Sequence, residues 1–514
     1  MDDPAYEHLL LGLQAQAERR PILFRAKVIL ISAAAYLLLF ASLILLGLLL
    51  FWAFSTWQQR HSVMLLLALL GMAASIIPVQ WIVIKMFLTR LPKPEGIEIH
   101  AKDAPKLFHV LSQLRRQLKG PAIDHVLITD DFNAAIYQRA KAGLFFGHRN
   151  YLMLGLPYLI GMAPKEMYAT LAHEYGHIAG SHGKLGAWIY RQRRTFGALH
   201  EHTEANREDD TINRLFAHLL AQFAYYFNAY TFVLSREEEY QADAVATRLA
   251  GSLHNSHSLI RGDLLARWLR EDFWPKLYSQ AKTREKPAFM PYTAMPMAIK
   301  AARDEWSTLP RLRSAWAQNS DLLDTHPCLR DRVLAAGERC ELPAQIKQSA
   351  ADYFLGSQAA VLSKKMDEQW WQKEQKEWQQ YYRQRSRALE KIAQFGQQAL
   401  GSLAVGEAQE YAVLLHDYES AAAAKEVLEH LLQRSGEKYP KPMFLYGRIL
   451  LDEGNRRGLD YLADAVRLAP AMFDEAGQLA YRWLYHNENE SAAEEWIVQL
   501  GAALDNAAVE IDRQ

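Results

Sequence analysis

Residues 171–180 read LAHEYGHIAG, and the fold of the chain turns on that stretch. On an α-helix, positions four apart share a face, so His173 and His177 point the same way. Neutral imidazole is a common ligand for zinc. Glu174 lies about 100° further round the helix, placed to reach a water on the ion rather than the ion itself. Two ligands and a base thus sit on one turn. The surrounding segment, APKEMYATLAHEYGHIAG (163–180), has a proline where a helix starts and a glycine where one ends, so a helix is predicted there.

A catalytic zinc has three protein ligands and one open position, so a third ligand is expected downstream. SREEEYQAD (235–243) offers three consecutive glutamates, and spacing alone does not choose among them. Glu239 and Asp243 are again four apart on a predicted helix, which runs from near Asp210 to Ala250. One carboxylate of such a pair could bind the metal. The other could accept the outer N–H of a ligating histidine and fix its tautomer.

Further out, the chain is 514 residues long, half of them hydrophobic, with 58 basic residues balancing 58 acidic ones. That length predicts more than one domain, and the neutral balance gives no reason to expect a nucleic-acid partner. Two cysteines, Cys328 and Cys340, are too few for a disulfide framework. No glycine loop of the G-x-x-x-x-G-K kind is present, so ATP is not expected.

Val28–Phe54 carries no charge, and a second apolar run covers Val63–Val83. A helix of about 20 apolar residues spans the hydrocarbon core. The two runs predict a transmembrane helical hairpin within 25–90, after a polar, helical lead-in at 1–24. Arg19, Arg20, Arg25 and Lys27 precede the first span, Lys85, Arg90 and Lys93 follow the second, and only Arg60 lies between. The positive-inside rule then places both termini in the cytoplasm of a multi-pass membrane protein. FAHLLAQFAYYFNAYTFVL (216–234) carries polar residues and reads as a core or interface helix rather than a third span. DHVLIT (124–129) and NYLMLG (150–155) read as short strands. The polar, aromatic-rich stretch within 350–400 reads as a connector helix, placed at 346–405. The last segment, 406–514, is rich in alanine and leucine. Its Gly447, Gly458, Ala465 and Pro470 lie near the spacing of a tetratricopeptide-type helical hairpin, which would make it a partner-binding surface.

HEYGH followed by SREEEYQADA resembles the zinc metalloproteases that include HtpX, the bacterial membrane heat-shock protease, and the CAAX prenyl proteases. The resemblance implies that Glu239 is the third zinc ligand, with Ser235, Arg236, Ala242 and Asp243 matching around it. A later match at Thr325, His326, Pro327 and Arg332 implies that His326 lies near the metal, either stabilising the tetrahedral intermediate or covering the open zinc position. FNAAIYQRAKAGLFFGHRNYLMLGL (132–156) is similar to the strand region on which an extended substrate would lie, which implies strand addition.

The implied architecture is mainly α with a small β-sheet: an α+β zincin-like metalloprotease domain at 99–345, the membrane hairpin before it and the helical repeats after it. The implied activity is peptide-bond hydrolysis by a membrane-anchored endopeptidase with one zinc ion per chain, in which Glu174 takes the proton of a zinc-activated water. Its substrates would be proteins or peptides, in membrane-protein quality control. A processing protease for lipidated proteins is a minor option, since no lipid pocket is recognisable. The competing reading is a membrane-tethered chaperone or scaffold with a structural zinc. Against it, a structural site needs no base beside its ligands. His182, beyond the helix end, reads as an exposed loop residue. His125, His148 and His218 have no partner at ligand spacing.

Overall fold

A computed structural model describes residues 4–60, 63–71, 93–142, 146–179, 211–320, 326–434 and 439–511. In 35–39, 140–142, 146–148, 211–223 and 505–511, and at 42, 60 and 503, only the backbone is described. The chain divides into two compact units. One comprises Met1–Leu277 with Phe289–Gln372, the other Tyr278–Ala288 with Lys373–Gln514.

The first unit begins with α1 (Pro4–Arg19) and α2 (Pro21–Arg60). The lead-in is amphipathic: Leu10, Leu13 and Ala17 are buried, at helical spacing. Among the described residues no helix is long and apolar enough to cross a membrane. The predicted hairpin is therefore not found there. Its first span lies in α2, where the side chains at 35–39 and 42 are outside the described residues, and 72–83 of the second are outside them altogether. His182 and Thr325 also lie outside the described residues.

The sheet has four strands: β1 (Ile97–Ile99), β2 (His125–Thr129), β3 (Ala134–Ala142) and β4 (Phe146–Gly155), in the order β1-β2-β4-β3. α3 (Pro105–Leu118) lies between β1 and β2 in the chain. It starts with a proline and buries Leu107, Leu111 and Leu114 as one stripe. β2 pairs antiparallel with β1 and parallel with β4, so it is central and buries four consecutive residues, Val126 to Thr129. β4 is paired on both sides, and β3, antiparallel to it, is left at the edge. His125, without a partner at ligand spacing in sequence, stacks on the Tyr151 ring and bonds the Glu98 carboxylate through Nδ1 at 2.6 Å.

Gly155 ends β4. A Cβ there would collide with the carbonyl oxygens of Asp131 and Asn133, so only glycine lets the chain turn from strand directly into α4 (Leu156–Gly161). α5 (Pro164–Ile178) follows, with Pro164 in its first turn. Glu166 accepts the Ala163 N–H at 2.9 Å and caps the helix. Buried Glu166 is itself gripped by buried Arg261, Nε–Oε2 2.8 Å and terminal nitrogen–Oε1 3.0 Å. Arg261 belongs to α7 (Ser252–Trp268), which follows the 40-residue α6 (Thr211–Ala250). α5 packs against α6, α7 and β3.

The apolar stretch at 216–234 lies in α6. From Phe227 on it is core: Phe227, Ala229, Phe232, Val233 and Leu234 are buried, and Phe24 of α2 stacks on Tyr230. The unit continues through α8 (Pro291–Ala301), α9 (Leu309–Ala317), α10 (Leu329–Ala335) and α11 (Ala350–Leu355). The polar, aromatic-rich stretch forms one long helix, α12 (Gln358–Gly396).

The second unit holds α13 (Val405–Tyr418), α14 (Ala421–Leu432), α15 (Pro440–Asp452), α16 (Gly458–Leu468), α17 (Phe473–Asn487) and α18 (Glu490–Ile511). They pack in consecutive pairs around apolar seams such as Leu415, Val427 and Ile449, and Leu462, Ala480 and Leu484. At the α15–α16 crossing two glycines face each other: a Cβ on Gly447 would come within 2.8 Å of the Gly458 carbonyl oxygen.

Candidate metal centre

The site lies where α5 crosses α6. Gly176, between the two histidines, makes the approach close. A Cβ there would stand in van der Waals contact with Ala242 Cα and Val245 Cβ, at 3.4 Å. The crossing brings His173 and His177 from α5 against Glu239 from α6.

Their donor atoms converge. His177 Nε2 lies 3.1 Å from His173 Nε2 and 3.3 Å from Glu239 Oε1, and His173 Nε2 lies 3.6 Å from Glu239 Oε2. Ligands at about 2.0–2.1 Å on the corners of a tetrahedron stand about 3.3 Å apart. The three separations bracket that edge length. Two lone pairs and a carboxylate facing one point also call for a cation. The donor set therefore fits one zinc ion.

His173 and Glu239 are buried and His177 is half-buried. Asp243, one helical turn beyond Glu239, takes the Nδ1–H of His173 at 2.9 Å. That fixes the tautomer and leaves Nε2 free to face the metal point. Arg332, from α10, in turn holds both Asp243 oxygens at 2.7 and 2.8 Å. Burial alone would raise the Asp243 carboxyl, but the bonds from Arg332 and His173 outweigh it and hold it below the usual range. His326 is largely exposed and sets its Nδ1 3.0 Å from Glu239 Oε2, and Arg332 also approaches that oxygen at 3.6 Å. Burial pushes the Glu239 carboxyl upward, but hydrogen bonds from His177 and His326 overcome it and leave the group below the carboxylate range.

Glu174 points to another face of α5. Its carboxylate accepts the backbone N–H of Ile136 on the edge strand β3. Burial raises its pKa, while His173 and His177 partly offset the shift. Cys328 does not join the donor group among the described residues.

The three consecutive glutamates go separate ways, because neighbouring helix positions diverge by about 100°. Glu237 pairs with Arg25 of α2 at 2.8 Å, and Glu239 joins the histidines. Glu238 remains half-buried close to them, and burial pushes its carboxyl up to about 7. The sequence reading assigned no role to Glu238 or to the Ile136 backbone. Alternation within 132–142 is the signal that could have marked Ile136 as an edge-strand residue. Nothing local distinguishes Glu238 from its neighbours.

No curated protein and no solved structure gives a significant match to this chain. Residues 145–339 match the family model described as Peptidase family M48. That stretch carries both histidines, Glu174, Glu239, Asp243, His326 and Arg332, in agreement with the resemblance to HtpX-like and CAAX prenyl protease-like enzymes. Peptidases of this family are zinc metalloproteases, and the metal-centre region of the chain is similar to them over those residues.

Proposed function

We propose that the protein is a membrane-anchored zinc metalloendopeptidase acting on damaged or unassembled membrane proteins. The observation that carries the hydrolase reading is the convergence of His173, His177 and Glu239 on one point, with Glu174 beside them.

His173, His177 and Glu239 would hold the ion, and Asp243 and Arg332 orient His173. Zinc, when bound, acidifies the attacking water and polarises the scissile carbonyl. Glu174 takes the proton of that water and passes it to the leaving amine. Burial raises its pKa above the usual carboxylate value, which makes it a stronger base for taking that proton. His326 is assigned to the carbonyl oxygen as its charge develops, its largely exposed ring lying beside the metal point with Nδ1 3.0 Å from Glu239 Oε2. The edge position of β3, with Ile136 touching the base, supports an extended substrate lying along this strand by main-chain pairing.

Membrane anchoring is supported by the exposed apolar side chains of α2. Ile44, Leu48, Phe51, Trp52 and Phe54 are all exposed, an arrangement that suits lipid better than water. The flanking basic residues support a cytoplasmic metal centre. The paired helices of the second unit support a repeat-like, partner-binding role.

The test is cleavage of an unfolded protein by the zinc-loaded chain in detergent, beside Glu174→Gln. The variant is expected to keep its zinc and to lose about 10²–10⁴-fold in rate. Wild-type rates in Glu174→Gln, with zinc in place, would rule Glu174 out as the base.

A further inference from the structure

We infer that the first unit carries a second ligand site, a cationic cleft built for an anion of the phosphate class. It lies apart from the metal ligands and does not rest on the peptidase reading. The cleft encloses about 220 Å³ between the end of α8, the segment before α11 and the buried Arg261 of α7.

Besides Arg261, three cations line it. Lys300 lies in the last turn of α8, Arg303 follows just past its end at Ala301, and Lys347 comes from the segment before α11. Among the described residues none of the three has an ion-pair partner. Other cations of the same unit differ: Arg267, Lys276, Arg311 and Arg330 each reach a carboxylate. Arg261 is already neutralised, since Glu166 holds it at two oxygens and the Ala344 carbonyl takes a further bond at 2.6 Å. The one acid in the cleft, Asp352, is occupied by the Ser349 hydroxyl at 2.8 Å. Three positive groups against one carboxylate leave a local excess of positive charge, and like charges held in one concavity raise each other's energy until an anion enters.

The geometry selects among anions. A carboxylate presents two oxygens along one edge and is satisfied by a single guanidinium fork. Two ammonium groups and a guanidinium lining one cleft instead suit a tetrahedral, doubly charged anion that accepts from several directions. The floor is apolar and firm: Trp306 is buried, with its indole N–H bonded to the Ile299 carbonyl at 2.9 Å. The cleft thus has room for a phosphate ester with an apolar body, whether a soluble monoester or a lipid headgroup.

The experiment uses the zinc-loaded full chain in detergent at low ionic strength. Inorganic phosphate and glycerol 3-phosphate are titrated by calorimetry, and flotation compares phosphatidylcholine vesicles with and without phosphatidic acid. Neutralising any one of Lys300, Arg303 or Lys347 to Gln is expected to weaken binding about tenfold. Lys300→Arg should preserve it, and Lys364→Gln on α12 should not change it, with zinc content and melting temperature constant throughout. Binding of the two soluble probes would assign a soluble phosphate ester. Binding of the acidic vesicles alone, lost in the three variants, would assign a headgroup. Phosphate binding that persists when all three cations are neutralised would belong elsewhere, as at the metal, and would overturn the assignment, as would the failure of every probe to bind.

Discussion

The guanidinium of Arg332 closes on both carboxylate oxygens of Asp243, Nε to Oδ2 at 2.7 Å and a terminal nitrogen to Oδ1 at 2.8 Å. Asp243 then holds His173 Nδ1 at 2.9 Å. A residue 89 positions from Asp243 thereby sets the orientation of a candidate zinc ligand through Asp243. Asp243→Asn should lower zinc affinity about 10–100-fold while the protein stays folded, and Arg332→Gln should act in the same direction. Competition with a chromogenic chelator reads this directly. Unchanged affinity in Asp243→Asn would remove its orienting role.

The glutamate run gives a sharper contrast. Glu239→Ala should abolish stoichiometric zinc, whereas Glu237→Ala should leave zinc untouched. It would cost at most about 1 kcal/mol through its partly exposed pair with Arg25. Metal analysis of the two purified variants decides it. Equal zinc in both would mean that another acid serves as ligand.

The buried Glu166–Arg261 pair should matter far more for stability than any surface pair. Both side chains are almost fully enclosed, at 4% and 3% exposure. Glu166→Ala strands the Arg261 charge and removes the cap of the metal-bearing helix, so a loss of about 3–5 kcal/mol is expected. Urea unfolding of the first unit measures it. Replacing both partners, Glu166→Leu with Arg261→Met, should recover part of that loss.

In the second unit, Gly458→Ala should destabilise by about 1–3 kcal/mol, because a Cβ there would come within 2.7 Å of Leu451 Cγ and crowd the Gly447 carbonyl. A thermal melt should show the loss with zinc content unchanged. A neutral melt would mean that α15 and α16 can separate without cost.

Much of the metal-site domain was legible in the sequence. HEYGH announced a helix with two ligands on one face, since i and i+4 spacing is a local property of the α-helix, and α5 has that form. The strands at 125–129 and 150–155 were readable from short apolar runs bounded by turn residues. β1 was not: three residues carry no period, and its existence depends on the edge of β2. The buried Arg261 was equally hidden, because a charged residue in a helix reads as solvated until a partner 95 positions away is brought against it.

By itself the sequence determined which residues could bind a metal and which helix would present them, because helical geometry is encoded within a few neighbouring positions. It left Glu237, Glu238 and Glu239 equivalent on spacing. Only the crossing of α5 and α6 at Gly176 and Ala242 separated them, pointing one at the histidines, one at Arg25 and leaving one half-buried between. That choice is tertiary because it depends on how one helix is rotated against another, and the packing of distant side chains sets that rotation.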